Sequence, residues 1–183
     1  IALLLTMVTS IILGMGLPTT ASYLICASVT APALVQMGLS PLSAHMFVFY
    51  FACISAITPP VALAAYAGAG IARCNPLDVA FTACKIGISA FLIPFAFVYG
   101  PSILWQGTGF EIFKSTATLL LGATFLSFGA QGLAMKHRLG MVSRILLLIS
   151  SVMLIAPETI SDIAGLLIGG AVVVVSWLSK KQR

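Results

Sequence analysis

The chain has 183 residues, 60% of them hydrophobic and only 7% charged, with nine Lys and Arg against four Asp and Glu and a formal charge of +5. Soluble domains carry roughly a quarter charged residues, so the composition excludes an ordinary soluble domain and points to a bilayer. The bases are scattered between long apolar runs, the pattern of cytoplasmic loops rather than of a nucleic-acid patch.

In chain order, residues 1–13 are an apolar run that begins with Ile1, with neither Met nor a basic leader ahead of it. This reads as a fragment or processed piece with no signal peptide. The run meets Gly14-Met15-Gly16-Leu17-Pro18-Thr19-Thr20, and a second apolar run, 21–37, precedes Gly38 and Ser40-Pro41. A spanning helix needs about 20 apolar residues. Two short arms around a Gly/Pro/Thr tip therefore predict a re-entrant hairpin, 1–37, that enters and leaves on one side.

The run at 42–57 is interrupted by Thr58-Pro59-Pro60 and resumes toward Arg73, so 42–72 has the length of one tilted span broken near its middle. Asn75 as cap and Pro76 as first residue start a helix over 76–99, and 105–114 reads as a polar and aromatic loop. Further spans are expected at 115–135, 141–156 and 163–178, the last two as a short tilted pair about a turn at 157–162. A basic tail, Lys180-Lys181-Gln182-Arg183, closes the chain. The fold class expected is all-α and membrane-integral, with a permease part at 1–106 and appended membrane helices at 107–183. Placing Arg73, the bases from Lys136 to Arg144 and the tail inside leaves Glu111 and the 157–162 turn outside, and Lys85 near the cytoplasmic face. The hairpin then opens to the periplasmic side.

The two breaks are the functional candidates, because irregular backbone persists at membrane depth only where protein, water or a ligand meets its polar groups. Pro59 and Pro60 lack the N–H groups that would serve the Ser55 and Ala56 carbonyls, which predicts oxygens open to a cation. Thr58, pushed from helical geometry by Pro59, is expected to cap the helix that restarts near Val61. At the tip, Pro18 removes the donor for the Gly14 carbonyl, and Thr19 and Thr20 begin the second arm. Each break thus pairs carbonyls suited to Na⁺ with amides and hydroxyls suited to a carboxylate, the construction of carriers with discontinuous helices. Ala64, Ala65, Ala67, Gly68, Ala69 and Gly70 would let the restarted helix approach another backbone closely. The competing reading is that a Pro or Gly kink in a membrane helix is only a kink.

Gly14-Met15-Gly16-Leu17-Pro18-Thr19-Thr20-Ala21-Ser22-Tyr23 and Ile54-Ser55-Ala56-Ile57-Thr58-Pro59-Pro60-Val61-Ala62-Leu63-Ala64 closely resemble the large membrane subunit of tripartite ATP-independent periplasmic (TRAP) transporters, particularly the fused permeases that work with TAXI-type binding proteins. The first is similar to the tip of the second re-entrant hairpin, the second to the unwound helix after it, and the resemblance covers roughly 1–104. It implies the second inverted repeat of an elevator-type carrier, in a bacterial or archaeal inner membrane, that uses Na⁺ to import a small organic acid delivered by a periplasmic binding protein. A small membrane subunit, or its fused equivalent, would be the other partner. By the match, Gly14, Thr19, Thr20, Ser55, Thr58 and Pro59 fall where the family places ion and substrate contacts. Gly16, Pro18, Ala56 and Pro60 complete the candidate site, with Na⁺ held by backbone near Gly14, Ser55 and Ala56. Two departures are that the first repeat is absent and that residues after about Gly107 match nothing in the family core.

Other residues weigh less. His45 suits an interface better than a proton relay. Asp78 and Lys85 sit near one helix end, where Lys snorkels, and Tyr23 and Tyr66 follow the breaks as either path-lining or packing groups. The aromatics at 91–97 and Trp105 read as interfacial anchors. Cys26, Cys53, Cys74 and Cys84 show no metal spacing and read as small apolar side chains. With no nucleophile–base pair, carboxylate dyad or metal cluster, the reading is of no enzyme and of no cofactor beyond Na⁺ as coupling ion. The alternatives kept are a binding-protein-independent anion/Na⁺ symporter of the same superfamily and a non-transporting membrane scaffold.

Overall fold

The computed structural model describes residues 1–134, 137–156 and 159–178. Lys136, the 157–158 corner and the basic tail, all used in the topology reading, lie outside the described residues. Helical packing divides the chain into two units, Ile1–Val98 and Tyr99–Arg183, with the division eight residues before Gly107.

In the first unit, α1 (Ala2–Gly14) and α2 (Thr19–Gln36) pack on one another and both pack on α3 (Pro41–Ile54). At 1.5 Å per residue α1 is about 20 Å long, short of the roughly 30 Å hydrocarbon thickness. The tip between the arms turns at Gly16, whose φ of +77° is open only to glycine without strain. Ser40 caps α3 by accepting from Ser43 N–H, with Pro41 at the first position where its missing N–H costs nothing. The core is built on Phe47, Val48, Phe51 and Leu34, all with no exposed surface. Phe95, expected as an interfacial anchor, instead stacks edge-on against Phe47 and Phe51 at 5.3 and 6.0 Å between ring centres, and Phe97 against Tyr50 at 5.6 Å. Edge-to-face pairs at such separations add to the burial energy of the rings.

The segment expected as one broken span is two short apolar helices, α3 and α4 (Leu63–Ala72), with an irregular stretch 55–62 between them. Beyond it the expected continuous helix 76–99 is two helices, α5 (Pro76–Ile86) and α6 (Ile88–Tyr99), bent by 45° at Gly87. Gly87 packs against the side chain of Ile57, so the bend lets this pair wrap the irregular stretch. Asn75 caps α5 as its sequence predicts, Oδ1 accepting from Leu77 N–H at 3.0 Å. Ala65 and Ala69 turn the buried side of α4 inward, and Ala65 joins Ala62 and Ala80 in a small cluster. Gly68 and Gly70 face open space, so only part of the small-residue stripe makes a close approach within this chain.

The second unit starts with a 3₁₀ turn, Pro101–Leu104, followed by α7 (Gly109–Gln131), α8 (Met141–Ile155) and α9 (Thr159–Leu178). Residues 109–114 were expected in a loop and are helical. Thr108 accepts from Glu111 N–H while the Glu111 carboxylate accepts from Thr108 N–H, a reciprocal cap whose signature in the sequence is Thr-x-x-Glu. A two-residue antiparallel ladder, β1 (Leu133–Ala134) with β2 (His137–Arg138), occupies the basic loop. α9 begins before residue 163, which places Asp162 in its first turn rather than in a turn between helices. Gly165 and Gly169 form a Gly-x-x-x-Gly face against α8, and Ser150 Oγ donates to Gly165 O at 2.6 Å. Among the described residues, Gly109–Gln131 and Thr159–Ser176 are long and apolar enough to cross a membrane, and the bent α5–α6 pair is a third if counted as one span.

Arg144, within the apolar run expected at 141–156, lies in α8 and donates from Nε to Gly129 O at 3.0 Å and from Nη2 to Ala130 O at 3.1 Å. A guanidinium fork thereby holds carbonyls that the end of α7 leaves unpaired. Arg144→Lys keeps the charge and loses the fork. The expected result is a loss of about 1.5–3 kcal/mol in the denaturant unfolding of the second unit in detergent, with Arg144→Met no worse than Arg144→Lys.

Candidate functional site

The two breaks meet at Gly14. A Cβ built there would fall 2.6 Å from Ser55 Oγ, and closer still to Ser22 Oγ. No side chain fits, so glycine at the end of α1 allows α2 and the end of α3 to close on its backbone. The tip touches the second break again where Gly16 faces the Val61 side chain.

The hydroxyls are held by a consequence of how α3 ends. Past Ile54 the ladder tightens to three-residue spacing: Ala56 N–H bonds Cys53 O, Ile57 N–H bonds Ile54 O, and Thr58 N–H bonds Ser55 O. Tightening in the last turn is a common helix ending, and here it takes Ala56 N–H away from Ala52 O. Two hydroxyls take that carbonyl instead, Ser55 Oγ at 2.6 Å and Ser22 Oγ at 3.3 Å. Both serines have essentially no exposed surface. Each hydroxyl oxygen, having donated, keeps acceptor lone pairs beside Gly14.

The carbonyls expected to be open are each partly engaged. Ser55 O accepts from Thr58 N–H at 3.2 Å, Ala56 O from Ala64 N–H at 2.9 Å, and Gly14 O from Leu17 N–H at 3.4 Å. The chain bends back on itself to replace the donors that the prolines lack, and each oxygen has one lone pair left. Further along, Cys84 Sγ donates to Ile57 O at 3.3 Å and the Tyr66 hydroxyl to Pro60 O at 3.0 Å. Cys84 and Tyr66 therefore brace the break from α5 and α4, a packing role left open for Tyr66 by its sequence position and not legible for Cys84.

Thr58 does not cap α4. Its Oγ1 donates back to Ile54 O at 2.8 Å, and α4 begins from Ala62, which has left-handed φ of 36° and no side-chain cap. A buried non-glycine residue in that region carries strain of about 1–3 kcal/mol. Pro59 is half-buried and Pro60 exposed, joined by a cis bond. Pro18, Thr19 and Thr20 are exposed at the start of α2, where no side chain caps the helix. The structure thus brings Gly14 and Ser55 together with Ser22, and sets Thr19 and Thr20 at the surface of the tip. His45 is elsewhere: Nδ1 lies 3.0 Å from the Tyr23 hydroxyl, at the exposed end of α3.

From this junction a polar seam runs between the hairpin arms. Cys26 Sγ donates to Ser10 O at 3.4 Å, Thr30 Oγ1 donates to Cys26 O at 2.7 Å, and the Ser10 and Thr30 hydroxyls lie 3.5 Å apart. Ser10 and Gly14 on α1, and Ser22, Cys26 and Thr30 on α2, recur every fourth residue and so share one face of each helix. That spacing of small polar residues was the available signal for Ser22, which composition and motif reading left among the flanking residues. Among the described residues no three His, Cys, Asp or Glu side chains come together. Oxygen at this site is neutral hydroxyl and carbonyl, hard donors that suit a hard cation rather than a soft transition metal.

Short apolar helices interrupted at two points where neutral oxygens converge are the construction of a membrane permease. Residues 1–112 match the family described as the tripartite ATP-independent periplasmic transporter, DctM component, and the chain belongs to that family. This is a transporter family and not an enzyme family, and the matched segment takes in both breaks and extends into the first turn of α7. Neither the comparison with curated proteins nor that with solved structures gave a match.

Gly14→Ala should destabilise the first unit by about 1–3 kcal/mol through overpacking, and part of that loss should vanish when Ser22→Ala is added. A double-mutant cycle on thermal unfolding in detergent checks this. The expected interaction is at least about 0.5 kcal/mol, whereas strict additivity would mean that the residues are not in contact.

Proposed function

We propose that this chain supplies ion- and substrate-handling elements of a Na⁺-coupled TRAP permease in the inner membrane, importing a small organic acid handed over by a periplasmic binding protein. The observation that carries the reading is the junction of Gly14, Ser22 and Ser55, where two helix breaks meet with neutral oxygens only. A Na⁺ ion at this junction would be met by the Ser22 and Ser55 hydroxyl oxygens and the remaining lone pair of Gly14 O. Its charge would draw the carboxylate of the incoming acid toward the exposed Thr19 and Thr20 at the start of α2, where helix amides also favour an anion. Coupling then follows from electrostatics: the anion is held well only after the cation has arrived.

On this reading the α1–α2 hairpin is re-entrant, and it moves with α3 and α4 as one elevator body of the second inverted repeat. The resemblance to fused permeases with TAXI-type binding proteins supports a fused small-subunit equivalent. The second unit is an appended membrane bundle.

Uptake by the permease in proteoliposomes, with its binding protein supplied and with or without an inward Na⁺ gradient, tests the reading. Ser55→Ala removes one charge–dipole contact of about 1.5–3 kcal/mol. The Na⁺ concentration for half-maximal uptake should rise about 10-fold or more, with protein abundance in the membrane unchanged. Uptake indifferent to Na⁺ in the wild type would remove the proposed coupling.

A further inference from the structure

Away from the junction, the second unit holds a cavity of about 360 Å³, at the small end of the roughly 300–1,000 Å³ range of ligand pockets. It is built where the start of α7, the end of α8 and the start of α9 come together, and its lining includes Ser102, Glu111, Lys114, Ser115, Thr118 and Asp162. The topology read from the basic loops puts this end outside. We propose that this cavity binds a primary ammonium group.

The argument rests on an imbalance of donors and acceptors. Asp162 is 5% exposed, and its Oδ2 meets Lys114 Nζ at 3.0 Å, while Oδ1 has no hydrogen-bond partner among the described residues. A buried carboxylate oxygen without a donor is costly and uncommon in native structures. Lys114 Nζ also donates to Thr159 Oγ1 at 2.8 Å, one hydroxyl of the Ser102–Ser115 pair donates to the other at 2.8 Å, and Thr118 Oγ1 donates to Ser115 O at 3.2 Å, so these bonds all leave Oδ1 without a donor. Glu111 commits Oε2 to Thr108 N–H. Among the described lining residues two carboxylates are set against one ammonium, a formal charge of −1, and a cation that brings N–H donors answers both that charge and the unpartnered Oδ1.

An ammonium group fits better than a bare metal ion, since no third His, Cys, Asp or Glu joins these acids among the described residues. It fits better than an anion, which Asp162 and Glu111 would repel. The group has two natural sources, a free small amine or an ethanolamine lipid headgroup. Trp105, Phe110 and Phe113 are 80%, 77% and 73% exposed around this end, the aromatic signature of headgroup depth.

Thermal unfolding of the purified full-length permease in detergent, titrated with ethanolamine and separately with tetramethylammonium, tests the proposal. Tetramethylammonium has the same charge and no N–H. The expected result is a saturable rise in the unfolding temperature with ethanolamine only, at least tenfold weaker in Asp162→Asn and larger than wild type in Lys114→Met, where the ligand replaces the lost ammonium. Should Asp162→Asn fail to fold, the Lys114→Met arm decides alone. Native mass spectrometry from mixed phosphatidylethanolamine and phosphatidylcholine nanodiscs separates the sources. Retained phosphatidylethanolamine that ethanolamine displaces marks a lipid site, and ethanolamine binding without lipid preference marks a free amine. No ethanolamine effect, an equal effect of tetramethylammonium, or an undiminished effect in Asp162→Asn would overturn it.

Discussion

Backbone carbonyls that lose their helical donors inside a membrane must find others, and the first unit is organised around that requirement. Two consecutive prolines and a tightened last turn of α3 take ladder donors away between Ala52 and Ala56. The chain answers oxygen by oxygen: Ala52 O takes two serine hydroxyls, Ser55 O the Thr58 amide, Ala56 O the Ala64 amide, and Ile57 O the Cys84 thiol. The break is consequently a defined loop held from α2, α4 and α5, with single lone pairs left over, and not a stretch of unwound chain with bare carbonyls.

The same requirement explains the small residues. Ser22 can reach Ala52 O only if α2 comes close to α3, and the end of α1 lies in the way unless residue 14 has no side chain. Glycine at 14, serine at 22 and 55, and the early end of α3 form one device in which each part depends on the others. On the proposed function, a site made wholly of neutral dipoles would meet a monovalent cation without a countercharge to hold it irreversibly, which a carrier needs if it is to release its ion on the far side.

Much of this was legible in the sequence, and the gaps have physical causes. Run length and Pro/Gly punctuation located the hairpin arms, a break centred on Thr58-Pro59-Pro60 and the start of α5 at Pro76, because those signals are local, while the full extent of the break, 55–62, came from how α3 ends. The partners of Ser55 O and Ala56 O were not legible, since proline removes a donor in a way the sequence shows, whereas replacement by Thr58 and Ala64 amides is decided by how the chain folds back. Thr58 was misassigned for the same reason: a threonine beside a break can bond forward as a cap or backward to Ile54 O, and composition does not choose. The helix expected over 76–99 bends at Gly87, a position where one glycine in an apolar run gives no signal of a break. Asp162 looked like a turn residue because Pro157 and Glu158 precede it, yet α9 begins in time to bury it. Ser22 was within reach, through the four-residue spacing of Ser22, Cys26 and Thr30.

Membership in the TRAP large-component family and the Gly14–Ser22–Ser55 junction support each other, because the matched segment contains both breaks. The central claim is that the junction holds Na⁺ through neutral oxygens. Equilibrium binding of radiolabelled Na⁺ to the purified permease, competed by unlabelled Na⁺ and by K⁺, tests it most directly when wild type is compared with Ser22→Ala/Ser55→Ala. The account predicts saturable, Na⁺-selective binding that loses stoichiometry or affinity in the double variant; binding of unchanged affinity and stoichiometry there would contradict it.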